Sequence, residues 1–307
     1  MKKGRGLKIG VIGVGSMGKH HARILSTLPG AKLFAVSDIN EQVAREVAAR
    51  YGVEAYPNYQ DLLPVVDAVS IVSPTATHYE VAIDCLNANK PILVEKPLAK
   101  TSEQAKKMVA LAKEKNLVLA VGLIERFNPA YIELRKLIRK ERIIGVNIKR
   151  FSPFPDRITD ANVIQDMMIH DLDLLLSLFP KQEIESLKAG GKKVKSNKLD
   201  KVSATIFFTS GIIATVEADR VFGNKTRKFV VTTERHLIEA DLLNKKVYVR
   251  DLQTHVPSAH HTKQQDQLTA ELLDFIKAVK SGTTPTVDGE AGFKSLKLAE
   301  EVENKCS

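Results

Sequence analysis

The chain has 307 residues, of which 44% are hydrophobic, 27% are charged and two are cysteines. This composition excludes a wholly disordered chain and a disulfide-stapled miniprotein, and the length predicts about two domains. So few cysteines, and no apolar run near the roughly 20 residues that cross a bilayer, lead us to expect a cytoplasmic protein without a membrane partner.

The net charge of +10 is spread evenly, since residues 1–123 hold 16 basic and 11 acidic residues and the remainder holds 30 and 25. A nucleic-acid-binding tail would concentrate its basic residues in one segment, so we expect no nucleic-acid partner. The excess fits either an anionic small-molecule substrate or a lysine-rich surface in contact with water.

Residues 1–123 alternate between short apolar segments and segments with the apolar period of a helix. Such alternation predicts a doubly wound parallel sheet of the Rossmann type, covered by helices on both faces. The predicted strands are 8–12, 32–37, 67–72, 91–94 and 117–121, and the predicted helices are 16–28, 41–51, 77–89 and 102–115.

Residues 124–307 lack this alternation, and we take them as a second, α+β domain built on an open, mostly antiparallel sheet. Its overall class with the first domain is α/β. Short alternating segments joined by tight turns predict the hairpins of that sheet. The predicted strands are 145–151, 183–188, 204–209, 212–217, 228–233, 237–241 and 246–250, and the predicted helices are 129–140, 163–178, 265–280 and 290–304.

A glycine-rich motif, Gly13-Val14-Gly15-Ser16-Met17-Gly18, follows the first predicted strand and opens the first predicted helix. The first glycine permits a tight turn, the second lets a pyrophosphate approach the backbone, and the third allows close packing of helix on strand. Asp38 follows the second strand, where a carboxylate accepts hydrogen bonds from ribose hydroxyls and repels a 2′-phosphate. The motif predicts NAD as the cofactor in preference to NADP.

Glu95-Lys96-Pro97 ends the predicted strand at 91–94. Ligands of doubly wound sheets bind beyond the carboxyl ends of the strands, so Lys96 is predicted to point at the nicotinamide end of the cofactor. A surface lysine beside a loop proline is the alternative.

Asp166, His170 and Asp173 lie at helical spacing and are expected on one face of the helix at 163–178. A histidine flanked by carboxylates is held in one tautomer and suits a general base near neutral pH. The alternative is a histidine with satisfied hydrogen bonds in an amphipathic helix. No third ligand is evident, so no metal is predicted.

The whole chain resembles the Gfo/Idh/MocA family of NAD(P)-dependent sugar and polyol oxidoreductases. The resemblance rests on the order and spacing of the glycine motif, of Pro74-Thr75 with His78, of Glu95-Lys96-Pro97, and of Asp166 with His170. It implies that Lys96, Asp166 and His170 are catalytic and contact the substrate, that Thr75, His78, Glu95 and Lys96 lie at the cofactor, and that the second domain binds substrate and forms a homodimer or homotetramer.

Within that family, the segment from Glu125 to Pro129 and the residues around His170 are most similar to the UDP-N-acetylglucosamine 3-dehydrogenase group. This resemblance implies oxidation of the 3-hydroxyl of a UDP-N-acetylhexosamine, an anionic sugar nucleotide. Arg126, Asn128 and Arg157 are candidate substrate contacts. A guanidinium binds phosphates and carboxylates through two hydrogen bonds, and a surface ion pair is the alternative for either arginine. The alternatives are a dehydrogenase of a free sugar or polyol, such as glucose or inositol, and a non-catalytic dinucleotide-binding regulator.

Overall fold

The protein is described by a computed structural model covering residues 6–154, 161–263 and 265–306. The chain folds into two compact units. The first comprises residues up to Leu123 together with Asp266–Phe293, and the second comprises Ile124–Gln265 together with the residues from Lys294 onwards.

The first unit alternates strands and helices as predicted. Its elements up to residue 122 are β1 (Leu7–Ile12), α1 (Ser16–Leu25), β2 (Ala31–Ser37), α2 (Glu41–Tyr51), β3 (Glu54–Tyr56), α3 (Tyr59–Leu62), β4 (Ala68–Ile71), α4 (Thr75–Asn87), β5 (Ile92–Glu95), α5 (Ser102–Glu114) and β6 (Leu119–Gly122).

The six strands form one parallel sheet in the order β3-β2-β1-β4-β5-β6. All four residues of β4 are buried, as expected where helices cover both faces of a parallel sheet. The strand order reverses between β1 and β4, and doubly wound sheets bind their ligands beyond the carboxyl ends of the strands at such a point. The predicted Rossmann-type sheet is confirmed.

Local side-chain chemistry fixes several helix ends. The Asn40 side chain accepts a hydrogen bond from the backbone N–H of Val43 at the start of α2, and Gly52 ends that helix with a φ of 64°. Helix α1 ends three residues earlier than predicted, where the Ser26 hydroxyl donates to the carbonyl of Arg23. The short strand β3 was not predicted, because three residues give too little alternation to recognise.

Residues 266–293 return to the first unit. They contain α8 (Gln267–Ser281) and the start of α9 (Gly289–Lys305). Helix α8 packs against α1, and the Val121 N–H on β6 donates to the carbonyl of Val287 at 3.0 Å. This segment was predicted to belong to the second domain, whereas it groups with the first unit because it covers α1 and hydrogen-bonds to β6.

The second unit is built on one eight-stranded sheet. Its elements are α6 (Pro129–Leu137), β7 (Ile143–Phe151), a π-helical turn (Ile164–Met168), α7 (Ile169–Leu178), β8 (Ile184–Lys192), β9 (Lys201–Phe208), β10 (Ile213–Asp219), β11 (Thr226–Thr233), β12 (His236–Asp241), β13 (Lys246–Asp251) and β14 (Pro257–His260).

The strand order of this sheet is β14-β13-β12-β11-β7-β10-β9-β8. Only the β7–β10 pair is parallel among the described strands, so the sheet is mostly antiparallel, as predicted. One face is buried, as alternate residues of β9 show from Val202 to Phe208, and α6 packs against β12 and β13. Residues on the other face stay partly exposed. No helix in the described part of the chain is long and apolar enough to cross a membrane.

Candidate active site

The three glycines of the motif play three different structural parts. Gly13 has a φ of +84°, and a Cβ there would lie 2.5 Å from the backbone nitrogen of Ser73. A Cβ on Gly18 would collide with the carbonyl oxygen of Gly13. A Cβ on Gly15 would meet nothing within 4 Å. Protein packing therefore requires the first and third glycines, whereas the second faces open space, which a pyrophosphate needs in order to approach the backbone.

The N-terminus of α1 has the properties of a phosphate site. Ser16 and Met17 form its first turn and are exposed, and that turn holds no acidic residue. Among the described residues, no side chain caps the helix. Its first N–H groups and the positive end of its dipole are thus available to an anion. These residues fit the pyrophosphate of a dinucleotide.

Asp38 directly follows β2 and is fixed beside the glycine motif. Its Oδ2 accepts a hydrogen bond from the Val14 N–H at 2.9 Å, and its Oδ1 accepts one from the Asn40 N–H at 2.9 Å. The carboxylate is partly exposed and keeps lone pairs for ribose hydroxyls. The next residues, Ile39 and Asn40, carry no positive charge to bind a 2′-phosphate, so the arrangement fits NAD.

His78 joins two loops beyond the carboxyl ends of the sheet. Thr75 begins α4, and His78 lies one turn later with 1% exposure. The ring nitrogens lie 2.8 Å from the carbonyl oxygens of Ser73 and Pro97. Burial lowers the pKa of His78, although the two carbonyl oxygens act in the opposite direction. Both ring nitrogens face backbone carbonyl oxygens, so His78 contacts the loop that carries Lys96, and the cofactor contact stays a prediction.

Lys96 follows β5 and is partly exposed. Its backbone N–H donates to Oε2 of Glu95 at 3.1 Å, and Oε1 of Glu95 lies 3.1 Å from Nε2 of His21. Burial raises the pKa of Glu95, but the hydrogen bond and charge of His21, together with Lys96, more than offset this, and the pKa is lowered. Glu95 is therefore an ionised carboxylate that binds the backbone of the candidate catalytic lysine.

In the second unit, a change of helix type separates Asp166 from His170. Asp166 lies in the π-helical turn, and His170 is the second residue of α7. The sequence predicted one continuous helix over 163–178. In a π turn the hydrogen bonds run from i to i+5, so the side chains are rotated relative to an α-helix, and such turns are frequent at functional sites. Both residues remain partly exposed.

Asp173 and Arg126 bind each other. Nε and Nη2 of Arg126 donate to the two carboxylate oxygens of Asp173 at 2.6 and 2.7 Å, and the Ser295 hydroxyl donates to the same carboxylate at 3.1 Å. Asp173 is 1% exposed, and a buried carboxylate is stable only with such partners. The Asp173 carboxylate is thus held by Arg126 and Ser295, and its predicted place beside His170 stays a prediction. Nε and Nη2 of Arg126, which could bind a phosphate through two hydrogen bonds, donate to Asp173 instead.

A second charge cluster lies in the same unit, with Arg150, Asp171 and Glu125 buried and Arg227 exposed. Arg150 donates to both carboxylate oxygens of Asp171 at 2.8 and 2.7 Å and to Glu125 at 3.0 Å, and Arg227 donates to the same oxygen of Glu125 at 3.1 Å. Burial raises the pKa of Glu125, but the two arginines more than offset it and the pKa is lowered. Two bases thus balance two acids.

Asn128 is 1% exposed and caps α6. Its Oδ1 accepts from the Ala130 N–H at 3.0 Å, and its Nδ2 donates to Glu125 at 2.8 Å and to the carbonyl of Leu242 at 2.9 Å. The side chain is satisfied within the protein and caps α6, and the substrate contact stays a prediction. Arg157, the remaining predicted contact, lies outside the described residues.

Three residues that lie together beside Glu95 were not predicted from the sequence: His21 on α1, Ser70 on β4 and Glu271 on α8. The signal for Glu271 was its position in the apolar stripe of α8, between Leu268 and Leu272, where a charged residue is out of place. No comparable signal marked His21 or Ser70, because their partners are distant in sequence.

Comparison with known proteins agrees with this geometry. Residues 7–123 match the oxidoreductase family with an NAD-binding Rossmann fold, and residues 141–239 match the Gfo/Idh/MocA C-terminal domain. The chain is 35% identical over 306 residues to UDP-N-acetylglucosamine 3-dehydrogenase of Acidithiobacillus ferrooxidans, covering 96% of each chain. The solved structure of an enzyme of that name from the same organism aligns with a TM-score of 0.93, 34% identity and 98% coverage of both chains. Myo-inositol 2-dehydrogenase of Thermotoga maritima is 30% identical, with 95% and 94% covered.

Proposed function

The chain belongs to the Gfo/Idh/MocA family of NAD-dependent oxidoreductases, and from this premise we propose that it oxidises the 3-hydroxyl of a UDP-N-acetylhexosamine to a ketone. The observation that carries the proposal is the similarity to the Acidithiobacillus enzyme, which extends over both units of the chain. The fit of the glycine turn and Asp38 to NAD supports the choice of oxidant. A polyol substrate is the second candidate, supported by the similarity to inositol dehydrogenases.

The glycine turn and Asp38 would hold NAD, which would supply the acceptor for the hydride that leaves the sugar carbon. His170 removes the proton of the hydroxyl as the hydride leaves, since a neutral imidazole is a competent base near neutral pH. The ammonium group of Lys96 donates a hydrogen bond to the same oxygen and stabilises its developing negative charge. Asp166 orients His170. This division of roles requires Lys96 and His170 to act on one hydroxyl.

The backbone anchoring of Lys96 supports this role. The Glu95 carboxylate accepts from the Lys96 N–H, and a ring nitrogen of His78 lies 2.8 Å from the carbonyl oxygen of Pro97, so polar contacts flank the lysine backbone on both sides. Preorganised donors act on a transition state without a reorganisation cost, which makes a fixed loop more useful than a mobile one.

The substrate is tested with a panel assay that follows absorbance of the reduced nicotinamide. Each of UDP-N-acetylglucosamine, its uronic acid, UDP-glucose, glucose and myo-inositol is offered with NAD or NADP. A parallel arm adds 2-oxoglutarate and measures 2-hydroxyglutarate, so that turnover on a retained cofactor is detected. We expect turnover with a UDP-N-acetylhexosamine and NAD. Turnover with glucose or inositol alone would show that the substrate is a free sugar or polyol and not a sugar nucleotide. No turnover with any of these compounds, together with intact NAD binding, would favour a non-catalytic regulator.

The oxidised position is tested with deuterated substrates. UDP-N-acetylglucosamine carrying deuterium at C3 should transfer the label to the reduced cofactor, as detected by mass spectrometry. The same sugar labelled at C4 is the matched control and should retain its label. Transfer from C4 would disprove oxidation at the 3-hydroxyl while leaving the dehydrogenase assignment intact.

We also propose that the chain forms a homodimer or homotetramer in the cytoplasm through the open sheet of the second unit. The partly exposed sheet residues support this, since they include the large apolar side chains of Ile213 and Tyr248, which are 48% and 42% exposed. Light scattering of the purified protein tests it, and replacing Tyr248 by Lys should shift the mass toward the monomer. A monomer at all concentrations would contradict the assembly.

A further inference from the structure

A chain of hydrogen bonds, buried at His21 and part-buried at Glu95, leads to the backbone of Lys96 in the first unit. The ring of His21 is fully buried, with Nδ1 2.9 Å from the Ser70 hydroxyl and Nε2 3.1 Å from Oε1 of Glu95. The second oxygen of Glu95 accepts the backbone N–H of Lys96 at 3.1 Å. Because the Glu95 carboxylate can only accept, Nε2 of His21 carries the proton in this contact. Ser70, His21 and Glu95 thus lead in sequence to the Lys96 backbone.

The Glu95 carboxylate has little room to move. Glu95 on β5 is paired with Gly122 on β6, and a Cβ on Gly122 would lie 2.9 Å from Cδ of Glu95. The carboxylate therefore lies flat against the neighbouring strand, where a larger residue would displace it. Its orientation is set by this contact, by His21 and by the Lys96 N–H.

Glu271 brings a second carboxyl group to the same place. It is 3% exposed, and neither of its oxygens forms a hydrogen bond with any residue that the structure describes. One of its oxygens lies within 4.8 Å of a carboxylate oxygen of Glu95 and of a ring nitrogen of His21. The charged and titratable groups facing it in the described part are Glu95 on β5, His21 on α1 and Asp274 on its own helix.

Two ionised carboxylates in such a space would repel each other strongly, because burial keeps solvent from screening them. Burial raises the pKa of Glu271 well above its usual value of 4.5, and the charges of Glu95 and Asp274 raise it further. The pKa of Glu95 moves in the opposite direction. Both directions, together with the short distance between the two carboxyl groups, favour a single negative charge on the pair, carried by Glu95.

We infer that His21 and Glu271 are positioning residues for Lys96, in which His21 holds the Glu95 carboxylate that binds the lysine backbone and Glu271, as a neutral carboxylic acid, leaves that carboxylate as the sole ionised one of the pair. The inference rests on the proposed catalytic role of Lys96. Neither residue touches the reacting atoms in this scheme.

The first test replaces Glu271 by Gln, an uncharged side chain of the same shape. In the wild type, Glu271 keeps its proton in the folded state while the unfolded chain releases it above about 4.5, so stability falls as pH rises through the window between those two pKa values. Glu271→Gln removes this slope. The difference in Tm between Glu271→Gln and the wild type should therefore increase as the pH rises from about 5 to about 8. Each kcal/mol of destabilisation that the substitution removes corresponds to about 2–4 °C in Tm. The alkaline limb of the kcat–pH profile should also move to higher pH.

Glu114→Gln on α5 is the matched control, because Glu114 is exposed in the same unit. It should show no trend of Tm or kcat with pH relative to wild type. If Glu271→Gln is less stable than wild type by the same amount at every pH, Glu271 is ionised and the inference fails. If a chelator lowers the Tm of the wild type and Mn²⁺ or Zn²⁺ restores it, both effects being absent in Glu271→Gln, the three side chains form a cation site and the inference also fails.

The second test concerns His21. His21→Leu removes the donor to Glu95 and should lower kcat by about tenfold, since a hydrogen bond to a charged group is lost, with little change in the Kd for NAD. His21→Gln places an amide N–H near the position of Nε2 and should restore most of kcat. A lower Tm with unchanged kcat and pH profile in His21→Leu would show a merely structural role.

Different results would disprove the proposed function and the positioning roles of His21 and Glu271. If Lys96→Ala retains its turnover, the proposed function itself is wrong, whatever the His21 variants do. If Lys96→Ala loses turnover while His21→Leu and Glu271→Gln leave kcat and its pH profile as in the wild type, the proposed function stands and the positioning roles are wrong.

Discussion

The turn after β1 and the helix pair around His170 contain candidate site residues of opposite kinds. In the turn, the backbone forms the site: Gly13 and Gly18 are required by packing, and Gly15 leaves space for a ligand. Around His170, side chains form the candidate site, and several of them bind each other. Arg126 binds Asp173, and Arg150 binds Asp171. A site formed by the backbone can be predicted from the glycines in the sequence. A site formed by side chains depends on hydrogen-bond and ion-pair partners that the sequence does not reveal.

The largest expected effect tests the chemistry proposed for Lys96 and His170. Lys96→Ala and His170→Ala should each lower kcat by about 10²–10⁴-fold, because each removes a proton-handling or charge-stabilising group. The Kd for NAD, measured by calorimetry, should stay near the wild-type value, since the backbone turn is untouched. Lys100→Ala and His261→Ala replace exposed residues of the same types and serve as controls. Near-normal kcat in both active-site variants would remove them from the mechanism.

The second prediction concerns the buried charges of the second unit. Arg150→Met leaves Glu125 and Asp171 buried without their main partner and should lower the free energy of unfolding by about 3–5 kcal/mol. Urea denaturation followed by circular dichroism measures it. Arg142→Met is the matched control, because its ion pair with Glu234 is exposed and should contribute at most about 1 kcal/mol. Equal losses in the two variants would mean that burial does not determine the strength of these pairs.

The third prediction concerns Asp38, whose side chain lies beside the glycine turn. Asp38→Asn weakens hydrogen bonds to the ribose and removes the repulsion of a 2′-phosphate. At about 1.5–3 kcal/mol for a charge-assisted hydrogen bond, we expect the Kd for NAD to rise about tenfold or more and the preference for NAD over NADP to fall. Titration with both cofactors measures it, with the exposed Asp61→Asn as the control. An unchanged NAD-to-NADP ratio would contradict the role of Asp38.

The smallest effect separates a structural role from a substrate contact. Asn128→Ala removes the N-cap of α6 and should lower the free energy of unfolding by about 1–2 kcal/mol, with kcat/KM for the substrate unchanged at a temperature where the variant is folded. Asn58→Ala, at the exposed N-cap of α3, is the control and should cost less. A large fall in kcat/KM would restore the predicted substrate contact.

The sequence was sufficient for the Rossmann sheet because each of its signals is local. Strand–helix alternation, the glycine motif and Asp38 after β2 are all legible within about 40 residues, and the structure reproduces them. The π-helical turn was not predictable, since the apolar period of residues 163–178 is equally compatible with an uninterrupted α-helix.

Ion pairing was the part that sequence could not resolve. Arg126 looked available for a phosphate because its partner, Asp173, is 47 residues away. Asn128 was predicted to contact the substrate. Its position before Pro129 does not reveal that the carbonyl of Leu242, in a distant turn, accepts a hydrogen bond from its side chain. His21 and Glu271 are separated by 250 positions and meet at Glu95. Long-range electrostatic partners of this kind become visible only when the fold is known.

The first unit is discontinuous, because α8 packs against α1 and the segment up to Phe293 hydrogen-bonds to β6, both of which belong to the first 123 residues. During synthesis, the strands β1–β6 leave the ribosome long before the helix that covers α1, so the hydrophobic surface of α1 waits for nearly the whole of the second unit to be made. A gene fragment that stops at residue 123 would yield an incomplete core. A split expression pair would therefore have to supply residues 266–293 in trans to recover a folded dinucleotide-binding domain.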